Sequence, residues 1–562
     1  MNKNLAFADY MVFIVYFIIV AGYGYSIYRK RKKNEHDAKA YFLAEGTLTW
    51  WAIGASLIAS NISAEQFIGM SGEGFFLGIA VAAYEWIAAI ALIIIAIWFI
   101  PVYIKNKIYT MPQFLKTRYN ESTALIMAVF WLFLYVFVNL TSIMYLGAVA
   151  INGIAGGGYL HIIMVGLAVF ALLISLGGMK VVAYTDVIQV AVLIIGGLVT
   201  TYIALITVGE YFGVGQNAIA GFKVLMKEAP EHFKMIIPKP TAVSSQNDIN
   251  KYITFPGMLS YLAGIWIINL NYWGCNQYIT QRALGADLQT ARTGILFAGF
   301  LKLLMPLIVM LPGIAAYVLY KSKHLPQLAD GTKDGAYSAI LTFLPTGLKG
   351  LSVAALTAAI VASLAGKVNS ISTIYTLDIH KKYFQKEASE KTQVYTGRIA
   401  VFAAMILAVM FTWNDVLGIG GVGGFTYIQK YTGFISPGVF AMFLLGMFWK
   451  RTTGAAAIAG LITGFVLSVV FNELAPVWFG NETFLYTAYA NGKGGFEIPF
   501  HICMGLSFMF TMIVMVTISM AGPKINPKAF ELDKEMFKLK PSTTALIVVT
   551  LLIIFALYAK FW

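Results

Sequence analysis

The sequence has 562 residues, of which 59% are hydrophobic and 12% charged, with a mean hydropathy of +0.75 and a formal net charge of +14. A water-soluble domain is about half apolar and a quarter charged, so this balance excludes one and places the chain in the membrane class. The basic excess does not point to nucleic acid, because the 40 Lys and Arg residues lie between apolar runs and form no basic face or tail of domain length.

Apolar runs long enough to cross a hydrocarbon core of roughly 30 Å recur from end to end. Their helical length, without barrel alternation, predicts an all-α integral membrane protein. The first run, residues 9–28, is too long for a signal-peptide core and lacks a small-residue cleavage site, which predicts a retained helix. Thirteen more spans are predicted over 47–72, 75–104, 122–150, 160–178, 183–208, 254–275, 291–320, 347–375, 396–413, 421–447, 454–478, 498–521 and 542–562. With both termini outside, the inner connections carry more than twice the Lys and Arg of the outer ones, starting with Arg29, Lys30, Arg31, Lys32, Lys33 and Lys39. Both cysteines, Cys275 and Cys503, fall in apolar stretches, so no disulfide framework is expected.

Two spans combine apolar length with a polar centre. In the second, Asn61, Ser63, Glu65 and Gln66 interrupt the run, and in the seventh Asn269 and Asn271 do so. The seventh stands five places after the second, an odd offset, so the two cross in opposite directions. Paired interrupted helices at corresponding positions of inverted halves mark a secondary transporter's binding site. The expected organisation is an N-terminal helix and basic loop over 1–46, five-helix repeats over 47–208 and 254–447 with an external loop 209–253 between them, and three C-terminal helices over 448–562.

The stretches "WWAIGASLIASNISAEQFIGMSGEGF", "YEWIAAIALIII", "FVNLTSIMYLG", "NYWGCNQYITQR", "LPGIAAYV", "NSISTIYTLDI", "YIQKYTGFISPG" and "FWKRTTGAAAIAG" run collinearly through the chain. Together they resemble the solute:sodium symporter family, in particular its bacterial sodium/galactose and sodium/glucose transporters. The resemblance implies a leucine-transporter-like core of two inverted five-helix repeats with added helices. It implies sugar contacts at Gln66, Glu85, Asn269, Lys302 and Gln429. Amides with one carboxylate and one ammonium suit sugar hydroxyls, which donate and accept at once. It also implies Tyr272 beneath the sugar as an inner gate, and Met70, Tyr84 and Phe425 as an outer gate.

For the coupling ion, Na+, the resemblance implies oxygen ligands from Ala59, Ile62, Ala359 and Ser363, as a hard cation prefers. The sequence departs from that pattern in three places. Ala362 stands where the family has a second serine, Ala88 replaces a hydroxyl near Glu85, and Lys367 lies one helical turn beyond Ser363. From that position the Lys367 ammonium reaches either the ion site or Asp186, which matches an acidic residue the family places nearby. The expected function is sodium-coupled sugar symport in the cell membrane, with a small sugar and the bilayer as partners, and with neither nucleic acid nor an obligatory protein partner. Proton-coupled or ion-independent transport on the same fold is the alternative. A catalytic role is not expected, since His36, His161, His232, His324, His380 and His501 are scattered without ligand spacing.

Overall fold

A run of apolar residues ends a membrane helix only where the backbone's polar groups find other partners, and the chain shows this first at its second predicted span. The computed structural model describes residues 5–30, 48–63, 65–155, 158–176, 179–325, 328, 333–417, 419 and 424–562. Most of the predicted basic loop after the first helix, including Lys39, and residues 326–327 and 329–332 of the 321–346 connection lie outside the described residues. Among the described residues ten helices are long and apolar enough to cross a membrane, or up to twelve if each of two bent pairs is one span. Two of the fourteen predicted spans fall short of that length, because Trp50–Asn61 has 12 residues and Leu160–Ser175 has 16. The chain divides into two compact units, Met1–Val81, Ala128–Phe233 and Gln281–Ile428 in the first, and Ala82–Met127, Lys234–Thr280 and Gln429–Trp562 in the second.

In the first unit the helix Trp50–Asn61 stops at Ile62, whose backbone is extended (φ −83°, ψ 110°). The chain resumes as a wide turn, Glu65–Met70, and the short helix Ser71–Leu77. At Gly78 (φ +75°) a Cβ would lie 2.4 Å from the backbone of His232, so only glycine fits there. The helix Leu348–Thr373 is buried along nearly its whole length and packs on Met179–Tyr211, where a Cβ on Gly196 would lie 2.7 Å from that of Ala355. Small residues let membrane helices approach this closely. Trp50–Asn61 packs against Leu288–Lys302 in the same way, with Gly54 and Gly294 at the contact. Asp287 caps Leu288–Lys302 by accepting from the backbone N–H groups of Gln289 (3.0 Å) and Thr290 (3.1 Å). The Thr290 side chain's hydrogen bond, followed by those backbone donors, holds its carboxyl below the usual range. Asp9, near the start of Phe7–Lys30, accepts from Gly347 N (2.7 Å) and Gly350 N (2.8 Å) and so caps Leu348–Thr373.

In the second unit the fully buried guanidinium of Arg118 donates to the carbonyls of Gly446 (2.6 Å), Thr452 (3.0 Å) and Trp449 (3.1 Å). It thereby satisfies the C-terminal end of Ser436–Phe448. That helix meets Gly454–Val469 at Gly438 and Gly464, where a Cβ on the latter would lie 2.5 Å from the Cα of the former. Gly454–Val469 packs in turn on Phe500–Met520. A two-stranded hairpin, Tyr489–Ala490 with Phe496–Glu497, lies in the connection before Phe500–Met520.

Candidate functional site

All the residues expected at the coupling-ion site lie in the first unit. The last four carbonyls of an α-helix lack helical partners. At the end of Trp50–Asn61 the Ile58 carbonyl is taken by Ile62 N (2.8 Å), and the Ser60 carbonyl accepts from the Ser363 hydroxyl at 3.1 Å. Leu348–Thr373 thus presents Ser363, with Ala359 one turn earlier, to the broken end that carries Ala59 and Ile62. All four residues are buried. A serine hydroxyl has one hydrogen and two lone pairs. The hydrogen goes to Ser60, and one lone pair accepts from Lys367 Nζ at 3.3 Å.

Of the two directions open to Lys367, the structure therefore has it turned to Ser363. Asp186 is held by a different cation. Arg282 Nη2 lies 3.7 Å from Asp186 Oδ2, and Ser56 links them, accepting from Arg282 Nε (2.8 Å) and donating to Asp186 Oδ2 (2.6 Å). Both charged side chains are buried. A Cβ on Gly366 would lie 2.5 Å from Arg282 Nη2 and 3.1 Å from Ser60 Oγ, so the guanidinium packs on the backbone beside Lys367. Gln281 fixes this segment, donating to Thr373 (3.1 Å) and accepting from Ser370 (3.3 Å). Sequence reading missed Arg282, which stands among juxtamembrane charges at the end of "NQYITQR".

The other expected contacts divide between the units. In the first, Gln66 is buried and its Oε1 has no hydrogen-bond partner among the described residues. Lys302, also buried, donates to Asn61 Oδ1. Phe425 packs on the Glu65–Met70 turn, where a Cβ on Gly69 would lie 2.6 Å from the Phe425 Cβ, and Met70 beside it is buried. Two clasps brace this expected gate. Glu73 Oε1 accepts from Lys333 Nζ (2.5 Å) and Thr426 Oγ1 (2.6 Å), and Asp334 Oδ2 accepts from Gly424 N (2.8 Å). Sequence reading did not pick out Glu73, because a carboxylate in "SGEGF" looks like part of a connection.

In the second unit Glu85 is buried and the Tyr84 hydroxyl lies 2.8 Å from His501 Nε2. Asn269 Nδ2 donates to the Ile265 carbonyl of its own helix at 2.8 Å. Asn271 Nδ2 donates to Ser436 Oγ at 3.0 Å. Tyr272 accepts from the Tyr278 hydroxyl, and Gln429 is half-buried.

These are buried polar and charged groups on apolar helices, and comparison with known proteins identifies the family. Residues 41–464 match the family described as the sodium:solute symporter family. The chain is 41% identical to the sodium/glucose cotransporter of Vibrio parahaemolyticus over 579 aligned residues, covering 100% of this chain and 99% of the relative. It is 34% identical to the human sodium/myo-inositol cotransporter 2, over 84% of this chain and 70% of that protein. Sheep sodium/glucose cotransporter 1 is 30% identical, over 91% and 77%. A solved structure described as the substrate-bound outward-open state of a Na+-coupled sialic acid symporter shares the fold. Its TM-score is 0.75 at 19% identity, over 93% of this chain and 99% of that one. The chain belongs to the sodium:solute symporter family.

Proposed function

We propose that this chain is a secondary active transporter that carries a glucose- or galactose-like sugar into the cell with Na+ by alternating access. The observation that carries the reading is the contact of Ser363 with the Ser60 carbonyl at the break in Trp50–Asn61. It puts a hydroxyl oxygen beside unwound carbonyls with no carboxylate among the proposed ligands, which suits a weakly held monovalent cation. Ala59, Ile62, Ala359 and Ser363 are its proposed ligands. Gln66, Glu85, Asn269, Lys302 and Gln429 are the proposed sugar contacts, with Met70, Tyr84, Phe425 and Tyr272 as gates. The buried Gln66 oxygen without a partner supports this, since an unpaired buried acceptor is costly unless a ligand completes it.

The finer architecture belongs to the same proposal. Counting the half-helix Trp50–Asn61 with its continuation and the short Leu160–Ser175 as spans gives fourteen, with both termini outside and two inverted five-helix repeats over 47–208 and 254–447. The charge asymmetry of the connections supports this orientation and residence in the cell membrane.

A second reading keeps the cargo but replaces the ion. Lys367 donates to Ser363, and an ammonium there takes the place of a bound cation. Uptake of labelled glucose and galactose into proteoliposomes, with and without an inward sodium gradient, separates the two. Sodium-driven accumulation supports the first reading, and equal uptake without sodium supports the second.

A further inference from the structure

Away from the transport residues, the first unit contains a cavity of about 450 Å³. Val20 and Gly24 of Phe7–Lys30 line one side, Phe170 and Leu173 of Leu160–Ser175 the other, and Val181 and Arg398 close it. Its walls are almost wholly apolar apart from Arg398. Among the described residues the buried Nε of that guanidinium has no hydrogen-bond partner, and no carboxylate pairs with it. An arginine is always charged and carries five donors. A cation held unpaired among membrane helices is costly, and such residues mark sites.

The rim is also apolar, with Leu173 on the short apolar helix Leu160–Ser175 and Tyr25 on Phe7–Lys30, a helix long enough to cross a bilayer, each about two-thirds exposed (66% and 65%). The cavity's chemistry therefore calls for a ligand with an apolar body and an anionic head. Its position selects the leaflet. Phe7–Lys30 leads directly into the run Arg29 to Lys33, and Arg398 follows Lys381, Lys382, Lys386 and Lys391 in sequence. These are the basic connections of the cytoplasmic side, where anionic lipids concentrate and bind basic pockets between helices.

We propose that this cavity binds an anionic phospholipid of the inner leaflet, one acyl chain lying between Phe7–Lys30 and Leu160–Ser175 and the phosphate on Arg398. The proposal rests on the orientation given above for its choice of leaflet, but not on sodium coupling or on sugar transport. Phosphate accepts charge-assisted hydrogen bonds from the guanidinium in a planar, two-point fashion, which a zwitterionic headgroup's compensated charge weakens.

The test reconstitutes the full chain in vesicles of phosphatidylcholine alone or mixed with phosphatidylglycerol, extracts it in mild detergent, and measures retained lipid by mass spectrometry. The parent is expected to retain phosphatidylglycerol selectively. Arg398→Gln is expected to retain it about tenfold less, as loss of a charged hydrogen bond implies. Ala21→Phe, which fills the cavity and leaves the arginine in place, should also lose it. Thermal unfolding of both variants in phosphatidylcholine should match the parent, which excludes misfolding as the cause. Equal retention of phosphatidylglycerol by the parent and both variants would overturn the proposal. So would equal retention of the two lipids by the parent, or displacement of the lipid by inorganic phosphate alone. Failure of sodium-driven uptake in the parent would overturn the proposed transport function and leave this result untouched.

Discussion

The ammonium of Lys367 donates to the hydroxyl of Ser363 at 3.3 Å, one turn along the same buried helix. If Ser363 is a sodium ligand, that ammonium opposes the ion it would help to bind, since two unit charges about 4 Å apart repel by about 4 kcal/mol at an effective dielectric of 20. Lys367→Met should then lower the sodium concentration for half-maximal uptake by about tenfold or more. If Lys367 substitutes for the ion, the same variant should acquire sodium dependence that the parent lacks. Sodium-stimulated uptake measured across a concentration series checks both, and an unchanged response would remove Lys367 from the ion site.

Arg282 and Asp186 form a buried pair bridged by Ser56. Replacing one partner leaves an uncompensated buried charge, which costs about 3–5 kcal/mol. Arg282→Gln should lower the unfolding temperature of the detergent-solubilised protein markedly. Adding Asp186→Asn should recover much of that loss, because the remaining polar pair is neutral. A double variant as unstable as the single one would mean that Arg282 acts through packing on Gly366 and not through charge.

The clasp of Lys333 and Thr426 on Glu73 makes a parallel prediction at the other end of the broken helix. One oxygen of Glu73 is buried with no hydrogen bond among the described residues, so Lys333→Ala strands a charge. The cost should be about 3 kcal/mol, read as a lower unfolding temperature, and a cysteine placed at Phe425 should react faster with a water-soluble thiol reagent. Glu73→Gln in the Lys333→Ala background should reverse both effects. Labelling that stays unchanged would separate the clasp from the gate.

For the sugar, Asn269→Ala and Gln429→Ala each remove a hydrogen-bonding group, worth about 1–3 kcal/mol in a desolvated site. Each should raise the apparent sugar dissociation constant about tenfold while the unfolding temperature holds. Two variants that bind glucose and galactose as the parent does would place the sugar elsewhere.

The break at Asn61 to Gln66 was legible because polar residues in an apolar run need a reason, and the structure ends a helix there at Ile62. The polar Asn269 and Asn271 stood out for the same cause, whereas Lys302 entered through the family resemblance. What the sequence concealed were partners. Lys367 and Asp186 each needed a counterpart, and spacing along a helix fixes neither the direction of a four-carbon stem nor the approach of Arg282 from a segment almost one hundred positions away. Asp9 and Glu73 were hidden for another reason. Each lies at the end of an apolar run, where carboxylates are unremarkable, and only tertiary packing turns the first into a helix cap and the second into a clasp. The count of spans diverged where helices are short or bent, because hydropathy measures length and not continuity.

Sodium coupling is the central claim, and it is tested most directly by titrating sodium against initial glucose uptake in proteoliposomes of the parent chain, at fixed pH and membrane voltage. The account predicts a saturable rise with sodium that potassium does not reproduce, and loss of the rise in Ser363→Ala. A flat response to sodium in the parent would contradict it.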